Sequence, residues 1–349
     1  MVAKLVDAVV ARDELDLILF RYHYLRPFLS TLVVGEAAYS FSGDPKPLVF
    51  SQYLAEGRIP ADVQVVEIPV EESLAATRDR KLIQDTIRER FARFLLQSHG
   101  ESGVFFCDVD EIPSTSQVES AGRIEASGYL ASVPMESYLR RANWADRRKG
   151  KLWFSPKFFV GPIDPRDLRS QWALHTLEGE PGAHLSFLAM EADQIRQKFK
   201  SYGHQEYNRP GVWTRELLAA CDRFGVDHRG QLGSPGWGLL VYKAPIDSST
   251  VVQSALKFKE GWAGAAPEGS FATRLLASAW ITQLLEKSTP PGNGALAGGP
   301  FNRKFLLTSF RRILNELFLR TTRYMRVLFH RYRRRSSSFL ARKGSSRPH

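Results

Sequence analysis

Val104-Phe105-Phe106-Cys107-Asp108-Val109-Asp110-Glu111-Ile112-Pro113 is the stretch on which the reading of this chain turns. Four apolar residues without alternation describe a strand buried on both faces, the pattern of a parallel sheet covered by helices. The run then ends abruptly in carboxylates. Ligands in open α/β sheets bind beyond the carboxyl ends of such strands, so Asp108 and Asp110 are expected where the chemistry is done. Residues i and i+2 of a strand project to one side, which lets both acids address one cation. Hard oxygen ligands of this type suit Mg²⁺ or Mn²⁺ held together with substrate phosphates. Acids that merely cap a strand end and face water are the plain alternative. The apolar lead-in and the third acid, Glu111, favour the metal site.

Outward from this strand the alternation continues. Leu5 to Val10, Thr31 to Gly35 and Val63 to Ile68 read as further strands. Glu14 to Leu25 reads as an amphipathic helix, and Ser73 to Gln97 as a long one with Leu74, Leu82, Ile83, Ile87, Phe91 and Phe94 on its inner stripe. Strands alternating with helices predict an α/β fold with a mostly parallel sheet. From about Tyr129 to Tyr242 the chain is rich in Trp, Tyr, Phe, Gly and Pro. That composition suits mixed strands and loops around a substrate.

At 349 residues there is room for one large or two ordinary domains. Cys107 and Cys221 are the sole cysteines, which excludes a disulfide framework and fits a reducing compartment; Cys107 reads as a buried strand residue. No secretory signal is visible, and no apolar stretch approaches the roughly 18 residues that a membrane span needs. The expected location is cytoplasmic. The net charge of +11 is concentrated: residues 301–349 hold fourteen Lys or Arg against Glu316, and the remainder carries −2. A basic catalytic groove is therefore not what the overall charge reports.

Several further motifs fall in order along the chain. Asp13-Glu14-Leu15-Asp16-Leu17 is followed by Arg21, and Val34-Gly35-Glu36-Ala37 leads into Tyr39-Ser40-Phe41-Ser42-Gly43-Asp44-Pro45-Lys46-Pro47-Leu48. After Asp108-Val109-Asp110-Glu111-Ile112-Pro113 come Gly182-Ala183-His184-Leu185-Ser186-Phe187 and Lys198-Phe199-Lys200-Ser201-Tyr202-Gly203-His204-Gln205-Glu206. Together they resemble glycosyltransferase family 17, which includes the β-1,4-mannosyl-glycoprotein N-acetylglucosaminyltransferases. Ala183 stands where that family usually has Trp, a departure expected to open the acceptor side. The missing N-terminal anchor is a second departure.

The resemblance implies a GT-A fold and an inverting, metal-dependent transfer from a UDP-sugar, with UDP-N-acetylglucosamine as the expected donor. Asp108 and Asp110 would hold Mn²⁺ or Mg²⁺ on the diphosphate, with a histidine completing the set; His184 is preferred over His204. Inversion needs a base for the acceptor hydroxyl. Glu206, Glu111 and Glu136 compete for that role, with Glu206 first. Glu36 and Lys46 are candidate nucleotide contacts. Glu14 and Arg21, two helical turns apart, are either donor ligands or an ion-paired structural element. Trp144, Trp153 and Trp172 are candidates for stacking on sugar rings.

The expected organisation is a GT-A-like domain over 1–245, a helical extension over 246–288, a Pro/Gly linker over 289–300 and a basic tail over 301–349. Within 301–335, apolar residues at helical spacing alternate with arginines, describing a basic amphipathic helix suited to an anionic membrane surface or to packing on the body. Nucleic acid is the weaker partner for it. A glycan or lipid-linked glycan acceptor is expected. The competing enzymatic reading is a haloacid-dehalogenase-like phosphohydrolase with Asp108 as nucleophile and Asp110 beside it. It would want a Thr after the second acid, where Glu111 stands.

Overall fold

The computed structural model describes residues 4–139, 141–142, 144–146, 152–166, 168–201, 219–221, 223, 241–243 and 249–263. The elements that position the site are β1 (Leu5–Val10), α1 (Leu15–Leu25), β2 (Thr31–Glu36), α2 (Val49–Ala55), β3 (Gln64–Glu67), α3 (Glu72–Ala76) and α4 (Arg80–His99). They continue with β4 (Gly103–Asp108), β5 (Glu111–Ile112), α5 (Thr115–Ala121), β6 (Tyr129–Ser132), β7 (Met135–Leu139) and β8 (Trp144–Asp146). Then come β9 (Lys157–Val160), β10 (His175–Thr176), β11 (Gly182–Ser186), α6 (Ala192–Ser201) and β12 (Val241–Lys243).

A seven-stranded sheet runs β10-β6-β9-β4-β1-β2-β3. Its pairings β4-β1, β1-β2, β2-β3 and β10-β6 are parallel, and β9 is antiparallel to both neighbours. Central strands of a parallel sheet must bury both faces, and the sequence supplies apolar side chains for both. Leu5, Val9, Phe105 and Cys107 pack with Leu17, Ile18 and Phe20 of α1. Val6, Ala8, Val104 and Phe106 pack on the other face with Ile83, Ile87 and Phe91 of α4. This is an α/β fold with a mostly parallel sheet between helices, consistent with a GT-A-like architecture.

Gly35 lets α4 come close: a Cβ there would lie 2.8 Å from Ile68 Cδ1 and 3.0 Å from the Phe91 ring. The long helix expected over Ser73–Gln97 is two helices. Arg78 sits in the left-handed region at φ 56°, and Asp79 starts α4 afresh by accepting a hydrogen bond from Leu82 N at 3.0 Å. An N-cap acid after a left-handed residue is a stop followed by a start, which the apolar stripe conceals.

A second sheet, β12-β8-β7-β11-β5, forms the mixed half expected from the composition. Here β5, directly after the acids, lies antiparallel to β11, with Glu111 opposite His184 and Ile112 opposite Ala183. Leu185 N donates to Asp110 O at 2.7 Å. The main chain therefore ties the histidine strand to the acidic turn. Beyond β12, the helix Thr250–Phe258 packs on α1, where Phe258 and Trp262 each meet the Phe20 ring at 5.5 Å. No helix among the described residues is long and apolar enough to cross a membrane. The segment 264–349, with the expected linker and amphipathic helix, lies outside the described residues.

Candidate active site

Asp110 is 8% exposed and faces an ammonium and an imidazole. Lys198 Nζ of α6 lies 3.2 Å from its Oδ2, and His184 Nε2 of β11 lies 3.7 Å from its Oδ1. Burial pushes the carboxyl up, but Lys198 and then His184 outweigh it, and the group sits below the usual carboxylate range. Lys198 also approaches Glu14 Oε1 at 3.9 Å and lies 5.0 Å over the Phe187 ring. His184 Nε2 is 2.9 Å from Ser186 Oγ, and the His184 ring lies 5.4 Å from that of Trp153.

Asp108 ends β4 with its side chain a third exposed, held by two guanidinium groups. Arg88 of α4 donates to both oxygens at 3.0 and 2.9 Å, and Arg169 Nη1 lies 2.8 Å from Oδ1. Burial opposes ionisation, yet Arg169 and Arg88 prevail and pull the carboxyl to about 2. Glu111 is the hub beneath. It is fully buried and accepts from both Arg169 Nη atoms at 2.7 and 2.5 Å, Trp153 Nε1 at 2.6 Å and Asp108 N at 2.7 Å. Four donors on a carboxylate without solvent access leave no lone pair for an acceptor hydroxyl. In this arrangement Glu111 braces the acidic turn. Glu136 faces away as well, because it pairs with Ala183 on the face of β11 opposite to His184.

The Glu14–Arg21 pair resolves into two separate devices. Arg21, fully buried, pairs with Asp7 of β1 at 2.8 Å (Nε–Oδ2). Its Nη1 donates to the carbonyl of Glu111, with Val109 O at 3.4 Å and Asp108 O at 3.5 Å. One guanidinium so clamps the main chain of the acidic turn from below. Glu14 accepts from Arg12 N at 2.9 Å in the turn before α1 and faces Lys198. The two have different partners.

Glu36 does not reach the cleft either. It is fully buried and caps α2, accepting from Phe50 N at 2.9 Å, Ser51 N at 2.7 Å and Ser51 Oγ at 2.6 Å. A carboxylate so engaged holds the start of the helix. Lys46 differs. Its Nζ is buried with no hydrogen-bond partner among the described residues, and burial lowers its pKa although Glu36 and Glu14 oppose this. The loop before it turns at Gly43, φ 79°, where a Cβ would strike Ala75 O at 2.3 Å. Ala183, expected to reshape the acceptor side, is fully buried beside Ile112 and faces the core. Glu206 and His204 lie outside the described residues.

Arg88 and Arg169 escape the sequence reading because they come from a helix and a loop far from the acids, and Trp153 entered it as one of three stacking candidates, without its bond to Glu111. Lys198 opens a motif quoted above, though its role was not read. For a divalent cation the donor chemistry fits. An aspartate oxygen and an imidazole nitrogen 3.7 Å apart can be bridged by two metal bonds of about 2.1 Å. No group of three His, Cys, Asp or Glu among the described residues completes such a site.

A family model described as Glycosyltransferase family 17 matches residues 1–210. No curated protein matches the chain. The matched span holds the parallel sheet, the acidic turn, His184 and Lys198, and it covers more than half of the sequence. On that match, made over the same residues that build the site, the chain belongs to glycosyltransferase family 17.

Proposed function

We propose that this glycosyltransferase moves N-acetylglucosamine from UDP-N-acetylglucosamine to a glycan acceptor in β linkage, with inversion and with Mn²⁺ or Mg²⁺. The observation that carries the reading is the meeting of Asp110 with His184 at the carboxyl end of β4. It sits at the sheet edge where a nucleotide-sugar belongs. Asp110 and His184 would hold the cation, with Asp108 as a further oxygen. The bound metal would supply positive charge for the departing diphosphate. Lys198, 3.2 Å from Asp110, adds a fixed positive charge to the same place, and the unpaired Lys46 ammonium is the second candidate for the phosphates.

Glu206 is the proposed base, since Glu111 is fully engaged and Glu136 faces away. The phosphohydrolase alternative loses its ground. The family is one of glycosyltransferases, and Glu111 stands where that reading wants a Thr. The basic tail would bring the enzyme to an anionic surface bearing lipid-linked acceptors. The test is UDP release from a panel of UDP-sugars with and without Mn²⁺, for wild type and Asp110→Ala. Metal-dependent release from UDP-N-acetylglucosamine, absent in the variant, is expected. A folded wild type that binds no UDP-sugar sinks the proposal.

A further inference from the structure

Trp153 is 41% exposed, yet its orientation is fixed. Its indole N–H donates to Glu111 Oε1 at 2.6 Å, and its ring lies 5.4 Å from that of His184 at 31° between planes. Its main chain exchanges two hydrogen bonds with Met135, at 2.9 and 2.8 Å, at the start of β7. An exposed indole is normally left mobile, or is buried with its N–H satisfied. This one is held by a fully buried carboxylate in a charge-assisted bond while much of its surface meets water. Trp172, by contrast, is 89% exposed, and the Trp144 side chain lies outside the described residues.

The groups of the cleft form a row. Glu14 is 3.9 Å from Lys198, Lys198 is 3.2 Å from Asp110, Asp110 is 3.7 Å from His184, and the His184 ring is 5.4 Å from Trp153. The row begins at α1, on the side of the parallel sheet that takes the nucleotide, and crosses the carboxylates. Trp153 closes the far end, in the mixed half of the fold. A ligand there has one apolar face for the indole and hydroxyls for the polar groups alongside, which is the surface of a pyranose. Because the ring is already fixed, stacking on it forfeits little side-chain freedom.

We propose that Trp153 is the platform on which a pyranose ring of the acceptor glycan stacks, and that Glu111 is the positioning residue that sets its tilt. This rests on the donor reading above, which puts the diphosphate at Asp110, His184 and Lys198 and leaves the outer side of the indole to the acceptor. The test uses the full chain as wild type, Trp153→Phe, Trp153→Ala and the control Trp172→Ala. Each is checked for folding by circular dichroism and for UDP-N-acetylglucosamine binding with Mn²⁺ by calorimetry. Chitotriose, mannotriose and maltotriose are then titrated by calorimetry.

Saccharide affinity is compared with each protein saturated with the donor. At least one trisaccharide should bind wild type and Trp172→Ala, and its affinity should fall about tenfold in Trp153→Ala. Trp153→Phe, which keeps an aromatic face but loses the bond to Glu111, should lie between. The proposal is overturned if no trisaccharide perturbs a protein that binds the donor, or if Trp153→Ala retains wild-type saccharide affinity. Loss of donor binding in the wild type would instead overturn the donor reading.

Discussion

Replacing Arg21 with Met separates stability from function in this fold. Arg21 and Asp7 are 0% and 1% exposed, and the guanidinium also holds the carbonyl of Glu111. Met matches the length of the arginine stem but leaves the Asp7 carboxylate buried without its partner. Breaking a buried pair from one side costs about 3–5 kcal/mol, a large part of the roughly 5–15 kcal/mol that holds a domain together. Replacing both partners, Asp7→Leu with Arg21→Met, removes the stranded charge, and stability should return to within about 1–2 kcal/mol of wild type. The double variant still lacks the clamp on the acidic turn, so its affinity for a UDP-sugar should stay low while its fold recovers. Urea unfolding followed by tryptophan emission reads the first quantity and calorimetry the second. A single variant that loses under about 1 kcal/mol would refute the account of the buried pair. A double variant with wild-type donor affinity would refute the clamp.

Three other outcomes are expected. Asp108 is held at about 2, below its usual 3.8. Its contribution to stability is therefore complete above about pH 4 and is lost as pH falls towards 2; Asp108→Asn should flatten that limb of the urea midpoint against pH. Arg169→Ala strands the buried Glu111 carboxylate, and a loss of about 3 kcal/mol would lower Tm by roughly 6–12 °C in calorimetric scans. Lys at 169 cannot span both Glu111 oxygens and should recover only part of this. Gly35→Ala forces a methyl to within 2.8 Å of Ile68, and the overpacking should cost about 1–3 kcal/mol in urea.

The parallel half was legible because its code is local. An unbroken apolar run buries both faces of a strand, and β1, β2 and β4 fall where such runs place them. The acidic turn was legible for the same reason. What surrounds it was not. Arg88 arrives from α4 and Arg169 from the loop after β9, and a guanidinium 20 or 61 residues away leaves no mark in the spacing of the acids. Glu36 and Glu111 show the same limit from the side of the acids. An acid at a strand end reads as a ligand, but the sequence does not reveal that α2 begins against Glu36 or that Arg169 covers Glu111. The break at Arg78 was hidden because the apolar stripe resumes in phase on both sides of it.

The hydrogen bond from Leu185 N to Asp110 O, with the pairing of β5 and β11, bears on how such a protein can change over time. His184 reaches Asp110 through main-chain register, so the loops between the strands of the interval are free to grow or shrink without disturbing their separation. Insertions between β5 and β7 should be tolerated wherever they loop outward. A single residue added within Gly182–His184 would turn the imidazole to the opposite face and abolish the site. Diversification in this lineage should accordingly accumulate in loop lengths, while the reading frame of one five-residue strand stays fixed.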